Sequence, residues 1–338
     1  MFSSALPKLL SGKDLTFKES LSLFDSFFSG KLSDPLCKTT LVLLTRKNPS
    51  TDEILACIKA LNKHERPAKI SMRGLLDTCG TGGDKSYSLN ISTLSAIVAA
   101  GAGVKVAKHG NRAFTSKCGS SDLMESFGVN LNASRESMVN SIRKIGLGYF
   151  HAPSHHPVVS KFQPLRRSLN IKTILNLIGP LTNPLKLETK MVGTADKKTF
   201  ELYTQILKTM KLRRALVVFS PAENMDEISG TSPTEAAMIE KNRVIRFKIN
   251  ASKLGFKKID PKTLLIKSVK DSRKKAFYIL NGKEKGPAAD AVVLNAGAAI
   301  WTAGKAVTLK EGIEMARKSI SSGRALKAIQ TLAENSRL

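Results

Sequence analysis

The chain has 338 residues, 42% of them hydrophobic, and carries 54 Lys and Arg against 27 Asp and Glu, a formal charge of +27. That apolar content excludes a disordered polyelectrolyte, and a chain this long is expected to form more than one domain. The charge points to an anionic partner, whether nucleic acid, an acidic membrane surface or a phosphorylated small molecule, although a solvated lysine-rich face accounts for it equally.

The N-terminal stretch MFSSALPKLLSGKDLTF lacks the charged start and unbroken apolar run of a signal peptide, and no segment reaches the ~20 apolar residues of a membrane helix. Cys37, Cys57, Cys79 and Cys118 form no C-x-x-C pair, which fits neither a disulfide framework nor a zinc ribbon. A soluble protein of the reducing cytoplasm is the expectation. From Leu15 to about His64 apolar residues recur at helical spacing, through Leu21, Phe24, Phe27 and Phe28, then Leu41, Leu43 and Leu44, then Ile54, Ile58 and Leu61. Pro49 breaks the pattern before the third group, where Ser50, Thr51 and Asp52 offer N-caps. This region, residues 1–70, is read as a helical domain, either simply packed or serving as an assembly surface.

After Pro67 short apolar runs alternate with glycine-rich turns and longer helical patterns, which is α/β texture. Strands are expected at 74–77, 104–107 and 215–219, and helices at 91–100 and 123–127. An apolar run at 291–294 leads into a small-residue helix at 296–301. Residues 153–184 read as an ordered excursion, and helices from about 160–185 are candidates to pack on the first domain. The second domain is expected to span 71–338.

The strongest local signal is Gly80-Thr81-Gly82-Gly83-Asp84, after an expected strand and just ahead of Asn90-Ile91-Ser92-Thr93 at a helix mouth. Glycines let backbone N–H groups approach an anion closely, and Ser92 and Thr93 sit where a helix start offers free donors and a positive dipole. Asp84 would repel a phosphate, so sugar hydroxyls or a metal-bound group suit it better. The loop matches neither the dinucleotide fingerprint nor the P-loop.

Next come Lys108-His109-Gly110-Asn111-Arg112, Thr115-Ser116 and Gly119-Ser120-Ser121-Asp122. Cations, an amide, an imidazole and hydroxyls crowd what reads as one loop at a strand's carboxyl end, where open α/β sheets place ligands. Lys108 and Arg112 favour an anion site, while Ser120 or Asp122 serves equally as a helix N-cap. Asp226 and Glu227 then form an acidic pair past a strand in an otherwise basic chain. Such a pair either holds a hard cation such as Mg²⁺ together with substrate phosphate oxygens, or is an exposed acidic turn.

Taken together, GTGGD at 80–84, NIST at 90–93, KHGNR at 108–112, HAPSHHP at 151–157, GPLTNP at 179–184, the acidic pair and GPAADAVVLNAGAA at 286–299 resemble the anthranilate phosphoribosyltransferase family, in order and in spacing, over nearly the whole chain. The resemblance implies an α/β fold of nucleoside phosphorylase/phosphoribosyltransferase type: a small N-terminal helical domain and a larger domain with a mostly parallel sheet flanked by helices. It implies transfer of phosphoribosyl from phosphoribosyl pyrophosphate to anthranilate in tryptophan biosynthesis, with Mg²⁺, by a homodimer. Donor-binding residues carried over are Gly80, Gly83, Asp84, Ser88, Asn90, Ile91, Ser92, Thr93, Lys108, Asn111, Ser116 and Ser120. Anthranilate would meet Gly80, His109, Asn111, Arg166, His156 and Pro180, with Arg166 suited to its carboxylate by two parallel hydrogen bonds. Ser92, Asp226 and Glu227 would serve the metal. No general base is assigned, and Asn111, Arg166 and His109 position the substrates. Ser88, Thr115, Cys118, Ser121 and Lys172 depart from the family's usual residues. Two rivals are a pyrimidine nucleoside phosphorylase-like enzyme and a nucleic-acid-binding relative using the basic surface. The retained glycine loop and acidic pair argue against nucleic acid as the main role.

Overall fold

The computed structural model describes residues 2–65, 68–82, 89–113 and 116–337, which group into two compact units. One unit comprises residues 1–69 and 155–184, the other residues 70–154 and 185–338.

The first unit is helical. Its opening helices are α1 (Phe2–Leu10), α2 (Phe17–Phe28), α3 (Asp34–Lys47) and α4 (Thr51–Glu65). Thr16 and Glu19 start α2 with a reciprocal capping box. Ser50 is the residue that caps α4: its Oγ accepts the Glu53 amide at 3.3 Å and Glu53 Oε2 accepts the Ser50 amide at 2.8 Å. Glu53 is itself buried, and Lys47 Nζ lies 2.6 Å from it. Phe24, Phe27 and Phe28 cluster in the core, and the Phe162 ring packs tilted against Phe27 with centroids 4.5 Å apart, which brings the short helices of the excursion onto α2.

The second unit is built on a seven-stranded sheet. Its strands are β1 (Leu76–Gly80), β2 (Val106–Gly110), β3 (Leu147–His151), β4 (Thr189–Gly193), β5 (Arg214–Phe219), β6 (Thr234–Glu240) and β7 (Arg243–Ile249), in spatial order β3-β2-β1-β4-β5-β6-β7. The first five positions are parallel, and β6 and β7 add an antiparallel hairpin at one edge. β7 carries exposed Arg243, Arg246 and Lys248, charges that discourage further edge pairing.

Three expected elements are displaced. The first strand starts at Leu76 rather than at 74, because Met72–Leu75 closes a turn through Leu75 N–H to the Met72 carbonyl. The strand expected at 104–107 runs Val106–Gly110, so Lys108, His109 and Gly110 are strand residues and not loop. The apolar run at 291–294 belongs to one helix, Pro287–Thr302, which packs on helix α5 (Ile91–Gly101).

Candidate active site

The chain runs outward from β1 to β2 and β3, then returns to lay β4 on the other side of β1, so the strand order reverses between β1 and β4. Parallel sheets open a crevice beyond the carboxyl ends at such a point. Gly80 and Gly193 end the two strands in register. A Cβ at Gly80 would collide with the Asp226 carboxylate, and one at Gly193 with the Asp226 carbonyl, so the glycines leave the space into which the turn after β5 descends.

That turn is held from several sides. Asp226 Oδ2 accepts the Gly82 amide at 2.9 Å, and Glu227 Oε1 accepts the amide of Ser92, in the first turn of α5, at 3.0 Å. Ser220 Oγ donates to the Glu227 carbonyl at 2.7 Å. The Asn295 amide accepts the Ile228 N–H at 2.9 Å and donates to its carbonyl at 3.1 Å. The structure thus brings Gly80, Ser92, Asp226 and Glu227 together. Among the described residues no three His, Cys, Asp or Glu side chains converge as a closed metal site. Two carboxylates beside a serine are instead a hard oxygen set that suits Mg²⁺ when substrate oxygens and water complete the shell.

Asp77 on β1, Lys108 and His109 on β2 and Lys190 on β4 form a buried charge cluster. Lys108 Nζ donates to the His109 carbonyl at 3.0 Å, and the His109 amide donates to Asp77 Oδ1 at 3.2 Å. Asp77 Oδ2 pairs with Lys190 Nζ at 2.7 Å, both side chains fully buried. Burial by itself would raise the Asp77 carboxyl, but Lys190, then Lys108 and His109, hold it below its usual range. Burial pulls Lys190 down, and Asp77 overrides it to raise the ammonium above its ordinary value.

Past β2, Ser120 Oγ accepts the Asn111 amide and donates to the Asn111 carbonyl, both at 3.1 Å, so these two donor-site candidates meet. Asn90 Nδ2 donates to the Cys118 carbonyl at 2.9 Å, tying the start of α5 to the loop that carries Ser116, whose hydroxyl bonds the same carbonyl at 3.3 Å. Ile91 and Thr93 are buried, and the Thr93 hydroxyl has no hydrogen-bond partner among the described residues. Gly83, Asp84, Ser88 and Thr115 lie outside the described residues.

The expectation of Arg112 as an anion-site cation is corrected. Its guanidinium bonds Asp122 Oδ1 at 3.0 Å and grips Glu125 through two contacts of 2.7 and 2.8 Å on an exposed face. Asp122 works for helix α6 (Ser120–Ser126), where its Oδ2 accepts the Gly119 and Ala113 amides at 2.8 and 3.0 Å.

Arg166, His156 and Pro180 belong to the helical unit. Arg166 sits half-buried in the helix Gln163–Leu169. Burial pulls its guanidinium down from its ordinary value, and among the described residues it has neither ion-pair nor hydrogen-bond partner. His156 is buried with Nδ1 4.0 Å from Glu65 Oε1, and Pro180 lies in the 3₁₀ turn Gly179–Leu181.

Thr78, Ser95, Gly193 and Asn295, not among the residues expected at the site, share a small pocket with Ser92 and Glu227. Asn295 had a signal, a lone amide inside an otherwise small and apolar helix. Gly193 had none, since its need for space arises from a turn more than a strand away.

The glycosyl transferase family, a/b domain, matches residues 72–326. The anthranilate phosphoribosyltransferase of Chromobacterium violaceum is 36% identical over 99% of this chain and 97% of its own. The crystal structure of the Thermus thermophilus enzyme of the same name is 34% identical and superposes with a TM-score of 0.91, covering 99% of both chains. The Saccharomyces cerevisiae enzyme, solved in complex with PRPP and Mg, is 23% identical and shares the fold at a TM-score of 0.89 over 99% of this chain and 98% of its own.

Proposed function

The chain belongs to the anthranilate phosphoribosyltransferase family, and on that footing we propose how its residues carry the reaction. The enzyme transfers the 5-phosphoribosyl group of phosphoribosyl pyrophosphate to the amine of anthranilate, releasing pyrophosphate. The carrying observation is the crevice between β1 and β4, where in-register glycines, the start of α5 and two carboxylates held by backbone N–H groups converge.

In this reading the donor lies over the loop after β1, with its phosphates met by the amino end of α5, Lys108, Ser116 and Ser120. Asp226 and Glu227, with Ser92, would hold Mg²⁺, which supplies positive charge to the departing pyrophosphate. Arg166 takes the anthranilate carboxylate, while His109, Asn111, His156 and Pro180 orient the ring. The amine nitrogen bonds C1 of the ribose as the C1–O bond to pyrophosphate breaks. The bonding pair leaves with pyrophosphate, and the amine proton passes to solvent. An aromatic amine is neutral near pH 7 and needs no strong base, so these residues act mainly by holding nitrogen and C1 in line. A second copy of the chain, joined through the helical unit, is the partner in this reading, and nucleic acid has no part in it.

The test is to mix the protein with anthranilate, phosphoribosyl pyrophosphate and Mg²⁺ and follow loss of anthranilate fluorescence. Consumption that requires both donor and metal is expected. Phosphorolysis of a pyrimidine nucleoside with no loss of anthranilate would overturn the reading in favour of a phosphorylase.

A further inference from the structure

We propose that Tyr149 and His151, on β3, are positioning residues that set the Ser120 hydroxyl and the Asn111 backbone for the phosphoribosyl donor through a directed chain of hydrogen bonds. The proposal rests on the donor-site reading of Ser120 and Asn111 above. His151 Nδ1 lies 2.7 Å from Ser121 Oγ, Ser121 Oγ lies 2.7 Å from the Tyr149 hydroxyl, and that hydroxyl lies 3.1 Å from Ser120 Oγ. Ser120 Oγ in turn accepts the Asn111 N–H and reaches the Asn111 carbonyl. Ser121, Tyr149 and His151 are all buried, where an unmade hydrogen bond is costly.

The proton count gives the chain a direction. Each hydroxyl has one hydrogen to donate. If Ser120 donates to the Asn111 carbonyl, its contact with Tyr149 needs the tyrosine proton, and the Tyr149 contact with Ser121 then needs the serine proton. Ser121 has nothing left to give His151, so Nδ1 must carry a hydrogen and donate. All four contacts are made at once only with His151 protonated on Nδ1; the other neutral tautomer leaves one of them without a hydrogen. Burial, followed by Arg112, lowers the His151 pKa, which keeps the ring neutral near pH 7, and the neutral Nδ1–H tautomer meets the requirement.

The backbone is cut to admit this chain. A Cβ at Gly110, the last residue of β2, would collide with both Ser120 Oγ and the Tyr149 hydroxyl. The register Lys108↔Tyr149 and Gly110↔His151 puts the two β3 side chains on one face beside that gap. A polar chain that starts at a buried histidine and ends on the backbone of a substrate-binding loop limits where that loop can rest. Holding it in the binding geometry lowers the ordering cost of taking up the donor.

Tyr149→Phe keeps the ring and removes only the hydroxyl. Titration calorimetry with phosphoribosyl pyrophosphate and Mg²⁺ should show about tenfold weaker binding, the effect of one well-placed hydrogen bond. In a Ser120→Ala background the same change should add less than about twofold, because its route to the loop is already cut. Unchanged affinity in Tyr149→Phe, or the full loss in both backgrounds, overturns the proposal. Thermal melting accompanies each variant, and a loss of affinity that appears only with a lowered melting temperature marks a packing role and overturns it as well. If the unaltered protein does not bind phosphoribosyl pyrophosphate, the donor-site reading falls and the relay with it. If it binds and Tyr149→Phe binds equally, the relay alone falls.

Discussion

The acidic turn of the α/β unit and the Arg166 helix of the helical unit hold their charges in opposite ways. Asp226 and Glu227 each receive a backbone N–H, from Gly82 and Ser92, and the turn beneath them is locked by Ser220 and Asn295. Arg166 has lost part of its water and gained no counter-charge among the described residues. Charges fixed by surrounding dipoles need little rearrangement when charge develops in a reaction. A partly desolvated cation without a partner gains most from an anion that arrives with the substrate. The acidic pair is therefore prearranged by the fold, whereas the Arg166 guanidinium keeps its capacity to bind an anion open.

Removing the prearranged carboxylates should break this contrast most severely. Asp226→Asn combined with Glu227→Gln is expected to lower Mg²⁺-dependent turnover by about a hundredfold or more, since metal charge at a leaving group contributes several kcal/mol. Initial rates across a Mg²⁺ titration check this, and kinetics like those of the unaltered enzyme would sink the metal assignment.

A smaller and more selective effect is expected at Arg166. Arg166→Ala should raise the KM for anthranilate by about ten- to a hundredfold, the size of one charged hydrogen-bonded contact, while affinity for phosphoribosyl pyrophosphate is kept. Arg166→Lys should fall between, because the ammonium keeps the charge and loses the planar fork. Equal losses for both substrates would count against an acceptor role.

Arg112 sharpens the comparison from the other side, as a cation already paired at the surface. Arg112→Ala should change either KM by no more than about twofold and stability by no more than about 1 kcal/mol, the range of exposed ion pairs. A large loss of donor affinity in that variant would mean that the guanidinium leaves Asp122 and Glu125 to meet the substrate.

The elements legible in the sequence are those whose signals are local. Helix α5 lies within one residue of its expected end, since an unbroken small and apolar run is bounded by Asn90 on one side and Gly103 on the other. Strand β4 gives no strand signal because its sequence, TKMVG, puts a lysine inside a fully buried strand. That lysine is tolerable only because Asp77, 113 residues away in sequence, lies 2.7 Å from it. The split expected around residue 295 reflects the polar Asn295, whose amide bonds back to the Ala291 carbonyl and across to Ile228 inside one continuous helix.

By itself the sequence determined the chemical vocabulary of this protein: a glycine loop before a helix start, a Lys-His-Gly-Asn-Arg run, an acidic pair and a candidate arginine for the acceptor. Glycine conformation, capping preference and charge act over a few residues, so such features are legible without a partner in view. Only the tertiary structure decided which of these groups meet. Glu227 finds Ser92 across 135 residues, Gly193 acquires its purpose from Asp226, and Tyr149 is linked to Ser120 across 29. Arg112 is withdrawn from the candidate site by two carboxylates on the next helix. Hydrogen bonds and ion pairs require contact within about 3 Å, and strand register and helix packing set that contact.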